Sequence, residues 1–241
     1  EAELVGNITK RWRVSFNVAQ QETVVSGSAR LTKRVADALY ANLVKFNLLG
    51  IDQGPALPER QTFGSRYASN VGTALAATVA RDGARSPEQR EWRANFVTTY
   101  DLKDFENPLL KAMSVGTAVR WQGKVAIGAP FLRGEALKQK IVETDARFTS
   151  TSQISDNDEV MQTQFPDLAN PFYGPEELAG DVWVSYRRKI FKNIDWRLQL
   201  NVRNAWGNGE DIPVTANPDG SIAVIRIPNE TRWLLSSTFS F

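Results

Sequence analysis

The chain has 241 residues, 42% hydrophobic and 23% charged, with 29 Lys+Arg against 27 Asp+Glu and a net charge of +2. This is the composition of a folded protein, and so even a charge balance offers nucleic acid no bulk electrostatic footprint. Cysteine and histidine are both absent, which excludes disulfides, thiolate or imidazole metal sites and every catalytic design built on a Cys or His nucleophile or base.

In chain order, residues 1–8 read as a strand, and Thr9-Lys10-Arg11 as a tight turn. Residues 12–20 alternate with period two: Trp12, Val14, Phe16 and Val18 oppose Arg13, Ser15, Asn17 and Ala19. Residues 32–49 carry Val35, Leu39, Leu43 and Phe46 at helical spacing up to Gly50, and residues 65–82 carry Tyr67, Val71, Leu75 and Val79 up to Gly83. Both predict short amphipathic helices that pack through those stripes. Ser86-Pro87-Glu88 has the form of a helix start.

Alternation returns in 92–100, where Trp92, Ala94, Phe96, Thr98 and Tyr100 oppose Arg93, Asn95, Val97 and Thr99. In 113–121, Val115, Thr117, Val119 and Trp121 oppose Ser114, Gly116, Ala118 and Arg120. Segment 181–189 reads as a strand with Trp183 on its polar side. In 196–203, Trp196, Leu198, Leu200 and Val202 oppose Arg197, Gln199, Asn201 and Arg203. The last segment sets Trp233, Leu235, Ser237, Phe239 and Phe241 against Arg232, Leu234, Ser236, Thr238 and Ser240. Each such segment predicts a strand with one apolar and one wet face.

Connections alternate strictly between short (9–11, 103–111, 191–193) and long (21–90, 123–179, 204–231). An up-and-down transmembrane barrel with short periplasmic turns and long outer loops has that alternation, whereas a soluble meander has no reason to gather its long loops at one end. Mean hydropathy is −0.34 and no apolar run reaches the length of a spanning helix, but barrel strands do not need one.

The terminal RWLLSSTFSF, with Trp233, Phe239 and the final Phe241, resembles the C-terminal signature by which bacterial outer-membrane proteins are read by the barrel-assembly machinery. Residues 195–206 (DWRLQLNVRNAW) and 3–17 (ELVGNITKRWRVSFN) resemble strands of TonB-dependent receptors, with Asn204-Ala205-Trp206 where the family commonly has Asn-Leu-Phe. Residues 212–228 look like the outer loop before the last strand. The resemblance implies an all-β transmembrane barrel fragment: residues 1–241 as the C-terminal part of a receptor barrel, about seven antiparallel up-and-down strands in an open sheet, with short helices in a long extracellular loop. The family barrel has about 22 strands, so the plug domain and TonB box would lie upstream of Glu1.

As function, the resemblance implies ligand-gated, TonB-dependent uptake of a siderophore, cofactor or oligosaccharide in a Gram-negative outer membrane. The implied partners are outer-membrane lipid, the barrel-assembly machinery, TonB, the plug and a small-molecule ligand, with no nucleic acid. The fragment alone is expected to be incompetent, because open sheet edges are not viable in lipid. Arg13, Arg93, Arg120, Trp183, Arg197, Gln199, Asn201 and Arg203 would face the lumen, where they contact either ligand or plug. Two alternatives stand beside this reading: a soluble β-rich carbohydrate-binding module, whose aromatics would form a core between two sheets, and an outer-membrane barrel without TonB coupling.

The remaining motifs carry less. Asp156-Asn157-Asp158-Glu159 lacks the glycine and distal glutamate of a Ca²⁺ loop and reads as a solvated tip. Gly207-Asn208-Gly209 and Pro218-Asp219-Gly220 are turn chemistry. Arg187-Arg188-Lys189 reads as a charged rim. Asn7-Ile8-Thr9 and Asn229-Glu230-Thr231 are sequons only by chance. Glu176-Glu177 and Glu210-Asp211 are sequence neighbours, which do not face one substrate from two sides as glycosidases require. No enzyme activity, metal or cofactor is expected.

Overall fold

The computed structural model describes residues 1–52, 62–85, 89–162, 164–191, 194–207 and 209–241. The expected helix start at 86–88, residues 192–193 of the turn at 191–193 and Asn208 lie outside them.

Seven strands form one antiparallel sheet: β1 (Ala2–Asn7), β2 (Trp12–Gln20), β3 (Trp92–Asp101), β4 (Met113–Gln122), β7 (Glu177–Phe191), β8 (Ile194–Gly207) and β11 (Arg232–Ser240). Their order in the sheet is their order in the chain. Two small two-stranded antiparallel sheets belong to the long connections: β5 (Val125–Gly128) with the distant β6 (Phe172–Gly174), and the hairpin of β9 (Ile212–Ala216) with β10 (Ile222–Arg226). The stretch 212–228, expected as the loop before the last strand, carries the β9–β10 hairpin, and β7 and β8 extend beyond the expected 181–189 and 195–203.

The short turns are built locally. The Thr9 hydroxyl accepts from the N–H groups of Arg11 (3.2 Å) and Trp12 (3.1 Å), closing β1 onto β2. Between β3 and β4 a one-turn helix, α4 (Pro108–Lys111), starts on the Asn107 cap, whose side chain accepts from Leu109 N–H at 2.9 Å.

Register places every expected apolar position on one face. Leu4, Phe16, Phe96 and Val119 stand opposite one another across β1, β2, β3 and β4, as do Val115, Val184, Leu200 and Leu235 across β4, β7, β8 and β11. This apolar face is not a core: Trp233 is 70% and Leu235 65% exposed. The molecule exposes 16229 Å² at 26.9 kDa, against about 10,800 Å² for a compact monomer of that mass.

The buried core sits in the long connections instead. Ala76 and Ala80 of the first pack with Leu137, Ile141, Ile154, Val160 and Phe165 of the second. These come from helices α3 (Thr73–Val79) and α5 (Gly134–Thr144) and the turns after them. A second cluster joins Ala36, Leu43 and Tyr40 of α1 (Arg30–Lys45) to Tyr67 of α2 (Phe63–Tyr67). Residues 63–79 run as one helix interrupted by a π turn at Ala68–Gly72. Gly72 lets the turn pack closely, since a Cβ there would stand 3.2 Å from both Tyr67 Cε1 and Arg147 Nε.

The expected stripe of α1 is corrected. Val35 is 61% exposed, and Leu39 and Phe46 are exposed too; Leu43 alone of the four is buried. The packed stripe is Ala36, Tyr40 and Leu43, because Tyr67 docks there, donating its hydroxyl to Ala36 O at 3.2 Å with its ring 5.1 Å from Tyr40. Burial, with Asp145 and Asp37 nearby, pushes the Tyr67 hydroxyl above its ordinary pKa.

Candidate functional site: the polar face of the sheet

Alternation in each strand and the register between strands together put Arg13, Arg93, Arg120, Trp183, Arg197, Gln199, Asn201 and Arg203 on one face. They do not converge on one point. Arg93 lies toward the long-connection end and Arg197 toward the short-turn end, and Arg13 is three strands from Trp183 in the same transverse row.

Three local arrangements organise this face. Trp183 lies across Gly116, its partner on β4; a Cβ on Gly116 would overlap the indole ring. Along β8, Arg197 Nη2 donates to Gln199 Oε1 at 2.5 Å, and Gln199 Nε2 to Asn201 Oδ1 at 2.6 Å, a rail of side chains two residues apart. On neighbouring strands Asn95 donates to Asn17 Oδ1 at 2.8 Å, and the hydroxyls of Ser114 and Ser185 meet at 2.6 Å. Among the described residues no buried side-chain polar atom lacks a partner.

The third arrangement was not visible in the sequence. Asn204 adopts a left-handed backbone (φ 48°) at an irregularity where β8 carries extra residues opposite Asp181. Its N–H donates to Asp181 Oδ1 at 2.9 Å, and Arg120 Nη2 donates to the same oxygen at 3.2 Å and to Asn204 Oδ1 at 3.3 Å. Asn204 Nδ2 donates to Asn229 O at 3.2 Å, and Thr231 Oγ1 donates to Asn204 O at 2.7 Å, which docks the third long connection onto the sheet. Asn204 itself was the available signal, since Asn tolerates that backbone; its partner Asp181 carried none. Beside this node is a cavity of about 560 Å³ with Glu177, Asp211, Glu230 and Arg226 in its lining.

A second tie binds the bases of the long connections. The Arg90 guanidinium, 4% exposed, donates to Gly123 O, to Pro175 O at 2.7 Å and to Glu177. Arg226 reaches the same Glu177 oxygen at 2.5 Å. Neither Arg90 nor Glu177 stood out in the sequence as more than a surface charge.

The other motifs resolve plainly. Asp156 pairs with Lys138 at 2.8 Å, a hydrogen bond that raises the Lys138 pKa, and Asp158 accepts from Ser155 N–H at 2.6 Å. Among the described residues no group of acidic side chains is arranged to hold a metal. Asp219 accepts from Ser221 Oγ (2.6 Å) and N–H (2.9 Å), which lowers its carboxyl pKa, with Gly220 at φ +87° completing the turn. Trp233 and Phe239 lie on the apolar face in β11, opposite Val202 and Trp196, and Phe241 follows the strand, 94% exposed.

Comparison with known proteins returns no matching family model and no matching curated protein.

Proposed function

We propose that this chain is a wall segment of an outer-membrane β-barrel of the ligand-gated receptor type, with its apolar face against lipid, its polar face lining the lumen and its long connections on the outer side.

The observation that carries the reading is how the apolar face treats its polar atoms. Thr98 Oγ1 donates to Arg13 O at 3.1 Å and accepts from Trp12 Nε1 at 2.7 Å. Thr117 Oγ1 donates to Asp181 O at 2.9 Å, Trp196 Nε1 to Ser237 Oγ at 2.9 Å, and Trp121 Nε1 to Glu176 at 3.1 Å. A face meant for water need not turn its hydroxyls and indole N–H groups back onto the protein; a face in hydrocarbon must. A soluble sandwich would instead bury Trp12, Phe16, Leu198 and Phe239, and none of the four is buried.

Aromatic placement agrees. Trp12, Trp92, Trp121, Trp196, Trp206 and Trp233 share the apolar face, leaving Trp183 alone among the tryptophans on the other. Trp92 and Tyr100 mark the two ends of β3 on that face. Eight residues apart, they are about 27 Å apart along the strand, or about 21 Å in height at a tilt of about 40°, close to the apolar band of about 25 Å in such barrels. Tyr186, Trp196 and Phe239 cluster near the short-turn end, with ring centroids 6.0 and 6.5 Å apart.

Lipid contact is tested with single-tryptophan variants of the full chain, the other tryptophans replaced by Phe, in micelles of a brominated non-ionic detergent. Trp12, Trp196 and Trp233 are expected to be quenched and Trp183 spared; equal quenching on both faces, or none, sinks the membrane reading. TonB coupling rests on the resemblance of residues 3–17 and 195–206. Its test is the coding sequence upstream of Glu1, where a plug domain and TonB box are expected; without them the receptor part falls and a plain barrel wall remains.

A further inference from the structure

A cavity of about 410 Å³ lies where all three long connections meet. The first supplies Arg81 and Arg85, the second Ile127, Phe131 and Leu168, and the third Thr215. Its volume is that of a small-molecule pocket. Its walls are held by backbone hydrogen bonds. Val24 pairs with Arg85 in a β-bridge, with Val25 N–H donating to Ala84 O at 2.9 Å and Gly83 N–H to Val25 O at 2.8 Å. Phe131 pairs with Pro166 likewise, with Leu132 N–H donating to Phe165 O at 2.8 Å and Asp167 N–H to Pro130 O at 2.7 Å. A chance gap between loops would lack such support; walls bonded in this way are formed before a ligand arrives.

The chemistry of the lining is one-sided. Among its described residues Arg81 and Arg85 carry charge and none is acidic. Arg85 is engaged by Glu22 at 3.4 Å and Glu91 at 3.1 Å. Arg81 makes no ion pair among the described residues and its side chain is exposed, and a guanidinium so placed can meet an acidic group with paired donors. The rest of the lining is chiefly apolar. The 560 Å³ cavity has the opposite character, with three carboxylates against one arginine, so an anion is better matched to the 410 Å³ cavity.

We propose that the 410 Å³ cavity binds a small anionic amphiphile, a compact apolar body bearing one sulfonate, carboxylate or phosphate group. Arg81 holds the acidic head, and Ile127, Phe131 and Leu168 pack the body. This deepens the receptor reading by naming a capture site and a ligand class, but binding itself needs no membrane, so the two can fail separately.

The test uses the full chain in dodecyl maltoside micelles, titrated calorimetrically with naphthalene-2-sulfonate and with the neutral naphthalene-2-sulfonamide, each corrected for micelles alone. The sulfonate is expected to bind about tenfold more tightly, the worth of one charge-assisted contact, and to weaken as salt is raised. Arg81→Gln, at an exposed side chain, is expected to cost the sulfonate about tenfold and the sulfonamide less than about twofold. Leu168→Asp, placing a carboxylate in the lining, is expected to abolish sulfonate binding; should that variant misfold, Arg81→Gln decides alone. Equal affinity for the two probes, or sulfonate binding indifferent to Arg81→Gln, overturns the proposal. Sulfonate selectivity without face-specific quenching would remove the membrane reading and leave the pocket; the reverse would remove only the pocket.

Discussion

Two glycines on this sheet are seats for tryptophan rings. Gly116 lies under Trp183 on the polar face and Gly180 under Trp206 on the apolar face, and in each case a Cβ would overlap the indole. Cross-strand aromatic cover of a glycine returns the packing that the missing side chain forfeits. Gly116→Ala should therefore expel the Trp183 ring and cost about 1–3 kcal/mol, read by denaturant unfolding in detergent together with a red shift of Trp183 emission. Combining it with Trp183→Leu should recover part of that loss; two independent, additive costs would show that the ring does not rest on the glycine. Alternation alone assigned Trp183 to the polar face, but the pairing of Gly116 with Trp183 depends on register between strands distant in sequence, which no single segment encodes.

Among elements, the long connections behave as a unit with its own core, tied to the sheet at few points. Arg90 and Glu177 form the most buried of these ties, 4% and 19% exposed, and Arg226 shares Glu177. Removing one member of a buried pair strands the other charge, at about 3–5 kcal/mol; the partial exposure of Glu177 puts Glu177→Gln near the lower end. Hydrogen exchange should then quicken at residues 89–91 and 123–128 while β8 keeps its protection, and a uniform loss across the sheet would refute so local a role. Of the helices in this cap, α1 and the helix over 63–79 were legible from their 3.6-residue period, whereas α5 was not foreseen. The buried side of α1 was not legible, because the expected Val35, Leu39 and Phe46 are as apolar as Ala36 and Tyr40 beside the shared Leu43, and Tyr67, a residue of another helix, chose between them.

For the whole molecule, strand parity and the two faces set the terms. All neighbours in the seven-stranded sheet are antiparallel, so β1 and β11 run in the same direction. Copies arranged about a barrel axis would therefore meet β11 to β1 in parallel, and an all-antiparallel closure needs an odd number of further strands. The faces are testable by moving one charge by one residue. Leu200→Arg, in mid-strand on the apolar face, should cost about 2–4 kcal/mol in a bilayer assembly, while Asn201→Arg on the polar face should cost little. Membrane fractionation and heat-modifiable gel mobility of the assembled barrel would read the difference, and equal tolerance at both positions would mean that lipid does not contact the Leu200 side.

Period-two alternation by itself determined five of the seven strands of the sheet, the side of the candidates they carry and the short–long rhythm of the connections, because those properties are local: side chains alternate within one strand and turns close between neighbours. Tertiary structure alone decided the Asn204–Asp181–Arg120 node, the Arg90–Glu177 tie, the packed stripe of α1 and the pocket among three connections. Each of these joins residues far apart in sequence whose individual identities, an Asn, an Arg, an Ala, are unremarkable until the fold brings their partners within hydrogen-bonding or packing distance.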